Sequence, residues 1–106
     1  MPNTINGTPR NDTITGTAGD DEIFGQQGRD TLHGGAGHDV LHAGEGDRDS
    51  TQNLYGEAGN DTLYGSESHE FLSGGSDNDI LYGYGGNDQI YGDGGNDTIF
   101  AGDGED

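Results

Sequence analysis

Acidic side chains recur at a fixed spacing through almost the whole chain. Eleven of them occupy the same place in successive short units: Asp12, Asp21, Asp30, Asp39, Asp49, Asp61, Glu70, Asp79, Asp88, Asp97 and Asp106. Each follows a stretch rich in Gly and polar residues, and the chain has no Cys. Carboxylate and main-chain carbonyl oxygens, without sulfur, are the ligands that hard cations prefer. The pattern therefore indicates binding of calcium or magnesium.

The acidic residues belong to a repeat of nine residues. Units begin at Gly7, Gly16, Gly25 and Gly34, and again at Gly56, Gly65, Gly74, Gly83 and Gly92. A longer unit, 43–55, joins the four repeats of 7–42 to the five of 56–100, and 101–106 is a half repeat. The acidic residue is sixth in this frame, and the eighth place is always aliphatic: Ile14, Ile23, Leu32, Leu41, Leu54, Leu63, Leu72, Leu81, Ile90 and Ile99. Two positions held in phase predict a repeat architecture.

The repeat predicts where the acidic residues lie in space. Its first five positions, rich in Gly and Asn, suit a tight turn, and positions seven to nine alternate as a short strand does. Strands of three residues need stacked neighbours, so two units form one coil with a strand in each of two facing sheets. Turns of alternate units then stack about 4.8 Å apart. Their carboxylates repel one another unless a cation lies between them.

Composition limits what else the chain can do. It has 21 acidic residues against three Arg and no Lys, a formal net charge of −18 at pH 7, and 25% hydrophobic residues. Such a chain cannot become ordered by apolar burial alone, and it repels nucleic acid and anionic membranes. We expect no membrane span and no enzyme, because no long apolar run and no catalytic grouping of Ser, His and Asp occur.

Units such as 34–42, Gly-Gly-Ala-Gly-His-Asp-Val-Leu-His, match the pattern GGxGxDxUx of RTX (repeats-in-toxin) proteins. The resemblance extends over 7–106 and implies an all-β, right-handed parallel β-roll that holds several Ca²⁺ ions between stacked turns. The carboxylate ligands it implies are Asp12, Asp21, Asp30, Asp39, Asp49, Asp61, Asp79, Asp88, Asp97 and Asp106. The turn glycines it implies at these sites are Gly16, Gly19, Gly34, Gly35, Gly37, Gly56, Gly59, Gly74, Gly75, Gly92 and Gly95.

The resemblance also implies a cellular setting. RTX proteins leave the cell by type I secretion and fold outside it, and their repeats accompany proteases, lipases, pore-forming toxins, adhesins and alginate epimerases. We therefore expect residues 1–106 to form one extracellular repeat domain, a fragment of a larger secreted protein with a fused catalytic, toxin or adhesin domain. An array without caps is also expected to associate end to end with another copy.

The two edges of the predicted roll differ in their turns. One edge carries an unbroken acidic row, which predicts four good metal sites between successive turns: Asp21, Asp39, Asp61, Asp79 and Asp97. Asp77 replaces a fourth-place glycine there, and Asp tolerates the left-handed conformation better than most residues. On the other edge Arg10 and Ser68 replace this glycine, and Glu70 is one methylene longer than Asp. Turn 65–70 is therefore predicted to bind metal weakly or not at all.

The long unit 43–55 leaves its sixth residue ambiguous. Asp49 takes that place in one alignment, whereas another puts Arg48 there and makes Asp47 the ligand. The additional residues of the unit are predicted to form a small surface loop over 50–53, as tolerated insertions do.

Aromatic residues occupy the ninth place along one sheet: Phe24, His42, Tyr64, Tyr82 and Phe100. Such a face either pairs across strands and stabilises a thin sheet or contacts a partner, such as the sugar rings of a polysaccharide. On the other sheet Ser73 separates Tyr55 from Tyr91, which predicts a discontinuous face. Two functions follow from the sequence: a calcium-binding structural module, and a polysaccharide-binding or adhesion module.

Overall fold

The computed structural model describes residues 3–44 and 51–104 of the chain. Within these residues the chain forms β-strands separated by Gly-rich turns and no helix. The strands are β1 (Asn3–Asn6), β2 (Thr13–Thr15), β3 (Asp21–Phe24), β4 (Thr31–Gly35), β5 (Val40–His42), β6 (Thr51–Glu57), β7 (Thr62–Ser66), β8 (His69–Gly75), β9 (Ile80–Tyr84), β10 (Gln89–Asp93) and β11 (Thr98–Phe100). In the part of the chain so described, no helix is long and apolar enough to cross a membrane.

Successive strands alternate between two parallel sheets. The odd-numbered strands form one sheet in the order β1-β3-β5-β7-β9-β11, and the even-numbered strands form the other in the order β10-β8-β6-β4-β2. Every strand thus pairs with its next-but-one neighbour along the chain, with Leu63 opposite Leu81 in a typical register. The result is a solenoid of about five turns, which confirms the predicted all-β parallel β-roll.

The core is a single layer between the sheets. It consists of the eighth-place aliphatic residues and one alanine, all with no exposed surface: Ile23, Leu32, Leu41, Ala43, Leu54, Leu63, Leu72 and Leu81. Residues toward both ends of the roll are less covered, and Ile99 in β11 is 44% exposed. The predicted inward position of the eighth place is therefore confirmed, and the core is thin.

The long unit differs from its prediction. Leu54 pairs with Leu32 and Asn53 with Thr31, so Gln52 occupies the sixth place of this unit, opposite Glu70. Residues 51–53 belong to β6, and the surface loop predicted over 50–53 is wrong for them. The reason is that Gln52 is fully buried and its Nε2 donates a hydrogen bond of 3.1 Å to the carbonyl of Gly28. Asp47, Arg48 and Asp49 lie outside the described residues, as does Asp106.

Aromatic side chains form a ladder on the outer face of each sheet. On the odd-numbered sheet the rings of Phe24, His42, Tyr64, Tyr82 and Phe100 stack face to face, with centroids 4.5–5.0 Å apart. Neighbouring rings thus cover the faces on which a sugar would stack, so the ladder supports cross-strand stabilisation.

The ladder on the even-numbered sheet is continuous, contrary to the prediction. Phe71, at the seventh place of its unit, lies between Tyr55 and Tyr91, with ring centroids 5.7 and 5.3 Å away. His33 continues the ladder on the other side of Tyr55, at 4.9 Å. An aromatic residue two positions earlier on the same face of the strand therefore fills the gap that Ser73 leaves.

Candidate metal centre

The turns of the roll stack in two columns, one at each edge. The first edge holds the turns before β3, β5, β7, β9 and β11: 16–21, 34–39, 56–61, 74–79 and 92–97. The second edge holds the turns before β2, β4, β8 and β10: 7–12, 25–30, 65–70 and 83–88. The sixth residue of each turn directly precedes the following strand or is its first or second residue, so the two columns align the acidic residues.

Most turns share a backbone conformation that favours glycine. In six described turns the second and fourth residues both have a positive φ: 25–30, 34–39, 56–61, 74–79, 83–88 and 92–97. Gly35 and Gly37, for example, have φ values of 93° and 102°. Asp77 takes this conformation at 73°, as predicted. A non-Gly residue there costs roughly 1–2 kcal/mol, so the turn needs compensating interactions. We call these six the left-handed turns.

The first residue of a turn is glycine because other groups occupy the space of a side chain. A Cβ placed on Gly34 would lie 2.6 Å from Oδ2 of Asp39 and 2.8 Å from the main-chain oxygen of Gly56 in the next turn. Gly56 has the equivalent relation to Asp61 and Gly74. The missing side chain lets each carboxylate lie against the main chain of two turns, away from water.

One oxygen of most sixth-place carboxylates accepts a hydrogen bond from the main chain of the preceding turn on the same edge. Oδ1 of Asp39 accepts a hydrogen bond of 2.8 Å from the main-chain N–H of Asp21, and Oδ1 of Asp61 accepts one from Asp39. The pattern continues to Asp79 and Asp97 on the first edge. These bonds fix the carboxylates in register, one above another.

The second carboxylate oxygen has no donor in three consecutive turns of the first edge. Oδ2 of Asp39, Asp61 and Asp79 is buried and makes no hydrogen bond, and each of these residues is only 1% exposed. Oδ2 of Asp30, on the second edge, is in the same state. Leaving a charged oxygen buried and unpaired costs several kcal/mol or more. The row therefore fits a set of ligands for a cation.

The ligand chemistry fits a hard cation. No group of three or more His, Cys, Asp or Glu side chains converges anywhere in residues 3–44 and 51–104. A cation between two successive turns would therefore meet two carboxylates, and main-chain carbonyls of the Gly-rich turns would have to supply its remaining ligands. Carboxylate and carbonyl oxygens in a flexible loop suit Ca²⁺ better than Mg²⁺, which requires a tight octahedron and keeps several waters.

Burial and repulsion between neighbouring carboxylates raise the pKa values of the aspartates along the row. Burial raises the pKa of Asp61 to about 8; the main-chain N–H of Asp39 opposes this rise, and nearby carboxylates, among them Asp79, add to it. Burial likewise raises the pKa of Asp39 and of Asp79 to about 6. Asp61, which lies between the other two, has the largest rise of the three, and burial is the largest cause of the rise in each of them.

Two turns hold their carboxylate in another way. In turns 7–12 and 16–21 the second residue is Thr, and neither the second nor the fourth residue has a positive φ. The main-chain N–H of Thr17 donates to Oδ2 of Asp21 at 2.6 Å, and the Thr17 hydroxyl lies 3.0 Å from both carboxylate oxygens. Thr8 binds Asp12 in the same way. We call these the threonine turns.

The carboxylate of Asp21 has a further donor. Nδ2 of Asn3 lies 3.2 Å from its Oδ1, on the side where other turns of the edge have the acidic residue of the preceding coil. Burial acts to raise the pKa of Asp21, but hydrogen bonds from the Thr17 N–H, Asn3 and the Thr17 hydroxyl outweigh it and lower the pKa. Internal donors thus satisfy this buried carboxylate.

Turn 65–70 is a third kind of turn, in which Ser66 is the second residue. Its hydroxyl hydrogen bonds to Oε1 of Glu70, and neither Ser66 nor Ser68 has a positive φ. Burial raises the pKa of Glu70; the bonds from Ser66 oppose the rise, and the carboxyl of Asp88 adds to it. The turn resembles the threonine turns, which agrees with its prediction as a weak site without testing it.

A second ladder, at the fifth place, was not predicted from the sequence. Oδ1 of Asn60 accepts a hydrogen bond of 2.8 Å from the main-chain N–H of Asn78, and Oδ1 of Asn78 accepts one from Asn96. His38 accepts in the same way through Nδ1, and Asp20 accepts from His38. The recurrence of Asn, Asp and His at the fifth place is the signal that could have revealed this ladder.

The predicted site residues divide into four groups. The structure brings together the first-edge aspartates Asp21, Asp39, Asp61, Asp79 and Asp97 and, on the second edge, Asp12, Asp30 and Asp88. The predicted glycines at the first place face these carboxylates: Gly16, Gly34, Gly56, Gly74 and Gly92. Those with a positive φ are Gly35, Gly37, Gly59, Gly75 and Gly95, whereas Gly19 lacks it. Asp49 and Asp106 lie outside the described residues.

A solenoid with stacked, carboxylate-lined turns of this kind is a cation-binding β-roll. The family model of the RTX calcium-binding nonapeptide repeat matches the chain four times, over residues 2–32, 16–48, 49–81 and 73–106. The chain therefore belongs to the RTX calcium-binding repeat family, as its motifs suggested, and contains a calcium-binding structural module. The comparisons with curated proteins and with solved structures gave no match.

Proposed function

We propose that this module folds when calcium binds between consecutive left-handed turns. The observation that carries the proposal is the row of buried Oδ2 atoms of Asp39, Asp61 and Asp79, which have no hydrogen-bond donor. At neutral pH the carboxylates have to be protonated or meet a cation. Calcium suits them because it takes about six to eight oxygen ligands in a flexible arrangement.

The first edge offers three gaps between left-handed turns in the described residues. They lie between turns 34–39 and 56–61, 56–61 and 74–79, and 74–79 and 92–97. The sixth-place aspartates of both turns would hold the ion in each gap, together with main-chain carbonyls. Calcium bound there neutralises the carboxylates and links neighbouring coils, and because the unfolded chain lacks these gaps, its binding free energy favours folding.

Folding by apolar burial alone is insufficient in this chain. The fully buried core has seven large aliphatic residues and Ala43, while the formal net charge is −18. Repulsion among the acidic residues acts against the compact state, so the unliganded chain is expected to be unfolded at neutral pH. Calcium binding and folding are then one cooperative process.

The same coupling supports an extracellular location. RTX repeats occur generally in secreted proteins, and a module that responds to calcium at about 0.1–1 mM remains unfolded in a calcium-poor cytosol. We therefore infer that the module is part of a protein exported by type I secretion, and that it folds after export.

Far-UV circular dichroism of the chain during a calcium titration tests the proposal, with magnesium as the control. We expect a coil-like spectrum in chelator and a cooperative change to a β-sheet spectrum at about 0.1–1 mM calcium. The same concentration of magnesium should leave most of the chain unfolded. A β-sheet spectrum that is already complete in chelator would contradict the proposal.

A further inference from the structure

Turns on the first edge differ in how the charge of the buried sixth-place carboxylate is compensated. The identity of the second residue of the turn separates the two ways. In the threonine turn 16–21, the N–H and hydroxyl of Thr17 and the amide of Asn3 surround the carboxylate of Asp21. In the next turn of the edge, 34–39, the second residue is Gly35, and Oδ2 of Asp39 is buried without a donor. The two turns have the same length and the same acidic residue.

The backbone explains why the second residue decides between them. Gly35 has a φ of 93°, a value that a β-branched residue such as Thr strongly disfavours. With Thr in this place the turn takes another conformation, in which the N–H of Thr17 points at the carboxylate of its own turn. That N–H presents the positive end of its dipole where a bound cation would meet Asp21. Calcium would have to break these hydrogen bonds and approach an N–H group.

We propose that threonine at the second place closes a turn to calcium, so that Thr17 sets the N-terminal limit of the calcium row on the first edge. The gap between turns 16–21 and 34–39 then holds no ion, although both turns have an aspartate at the sixth place. Thr8 closes turn 7–12 in the same manner, since it makes the same bonds to Asp12. The inference rests on the calcium-binding function proposed above, and it specifies which turns perform it.

The chain provides a matched pair of substitutions to test this. Thr17→Gly changes turn 16–21 from Gly-Thr-Ala-Gly-Asp-Asp to Gly-Gly-Ala-Gly-Asp-Asp, which differs from turn 34–39 only at the fifth place. Gly35→Thr is the reverse change on the neighbouring turn. Thr17→Ser is the control, because it retains the hydroxyl and the N–H and should leave the number of bound ions unchanged.

The measurement is the number of calcium ions per folded chain, by equilibrium dialysis with elemental analysis at saturating calcium. We expect Thr17→Gly to bind one ion more than the wild-type chain, and Gly35→Thr to bind fewer. At Gly35 a Cβ would lie 2.7 Å from the carbonyl of Thr17, so that variant has to rearrange its turn and is at risk of not folding. Thr17→Gly adds no atoms and therefore decides the question by itself.

The outcomes separate this inference from the function on which it rests. Failure of the proposed function is visible in the wild-type chain alone, as an absence of calcium-dependent folding, and it would overturn both. If the wild-type chain folds with calcium and Thr17→Gly binds the same number of ions, only the role of Thr17 is refuted. An additional ion in Thr17→Ser would also refute it, because the hydroxyl is retained there.

Discussion

Turns 16–21 and 34–39 are neighbours on one edge of the roll and share four of six residues. In the first, Asp21 has hydrogen-bond donors on both carboxylate oxygens, and its pKa is lowered. In the second, burial raises the pKa of Asp39 to about 6, and one oxygen has no donor. The difference teaches that a recurring residue in a repeat does not imply a recurring environment, because the residue four places earlier decides what the carboxylate needs.

The largest difference between the two kinds of turn is expected in their calcium dependence when the sixth-place carboxylate is removed. Asp61 borders two of the proposed calcium gaps, so Asp61→Asn should weaken both. We expect the calcium concentration at the midpoint of folding to rise by at least about tenfold, the lower end of the effect seen when groups that support a metal ligand are removed. Circular dichroism during calcium titration measures this midpoint.

Asp12→Asn is the matched control for this substitution. Asp12 lies in a threonine turn, where the N–H and hydroxyl of Thr8 are its partners. Its loss should move the calcium midpoint by less than about twofold, although it weakens hydrogen bonds to a charged group, which are worth about 1.5–3 kcal/mol. Equal shifts in the two variants would show that the two kinds of turn do not differ in calcium binding.

When calcium is absent, lowering the pH should stabilise the left-handed turns of the first edge and destabilise the threonine turn 16–21. The pKa values of Asp39, Asp61 and Asp79 are raised by burial, to about 6, 8 and 6, so the folded chain binds more protons than the unfolded chain between about pH 4 and 8. The stability that protonation of these groups contributes is fully present below pH 4 and is lost as the pH rises through these values. Asp21 acts in the opposite direction: because its pKa is lowered in the folded chain, the stability that it contributes is lost as the pH falls.

In calcium-free buffer we therefore expect the β-sheet signal to increase as the pH falls from 8 toward 4.5. Three left-handed-turn aspartates of the first edge outweigh the single contribution of Asp21 in this range. Asp61→Asn, which is neutral at every pH, should show a smaller increase in signal over the same range. A wild-type signal that is highest at pH 8 would contradict the expected direction of this pH dependence.

The fourth residue of a turn provides a smaller and more local contrast. Gly37, in a left-handed turn, has a φ of 102°, and a Cβ on it would lie 2.7 Å from the carbonyl oxygen of Gly19. Gly19 has the same place in the threonine turn, and a Cβ on it would meet only Oγ1 of Thr17, at 3.8 Å. Gly37→Ala should cost at least about 1–2 kcal/mol, because Ala strains the left-handed conformation and also contacts the main chain.

Gly19→Ala should be neutral or stabilise the chain by up to about 1 kcal/mol, since Ala restricts the unfolded state and fits the turn. Thermal unfolding in saturating calcium compares the two variants under conditions in which the wild-type chain is folded. Equal losses of stability at Gly19 and Gly37 would mean that the two turns have the same conformation.

The fold and the acidic row could be predicted because each depends on a short period. The nine-residue spacing places Leu41 inside and Asp39 in a turn whatever the rest of the chain does, and the structure has both residues buried there. The parallel pairing followed because strands this short need stacked partners. The RTX pattern then indicated the cation, and the family match agrees.

The role of Gln52 and the donors of Asp21 could not be predicted, because they depend on contacts between neighbouring coils of the roll. Gln52 takes the sixth place of the long unit because it pairs with Glu70 on one neighbouring coil while Asn53 pairs with Thr31 on the other, which no alignment of the unit with itself can reveal. The donors of Asp21 come from Thr17 and from Asn3, and Asn3 is one coil away. Contacts between coils select among environments that look alike along the sequence.

Substitutions in the fifth-place ladder should have the same effect in both kinds of turn. Their effect on stability is the smallest of those predicted. Oδ1 of Asn11, in a threonine turn, accepts a bond of 2.7 Å from the N–H of Arg29, and Oδ1 of Asn60, in a left-handed turn, accepts one of 2.8 Å from Asn78. Both bonds are exposed and bind the next coil in the same way, so they do not depend on the conformation of the second residue. Asn11→Ala and Asn60→Ala should each cost about 0.5–1.5 kcal/mol in calcium-saturated thermal unfolding.

Asn60→His is the control for the left-handed turn, because His38 already accepts such a bond through Nδ1 at the fifth place, and this variant should retain most of the stability. If Asn60→Ala were several times more costly than Asn11→Ala, the fifth place would also depend on bound calcium. The ladder would then belong to the metal centre, because its bonds would form only in coils that the cation holds together. Equal and small costs would instead show that calcium acts through the sixth-place carboxylates alone.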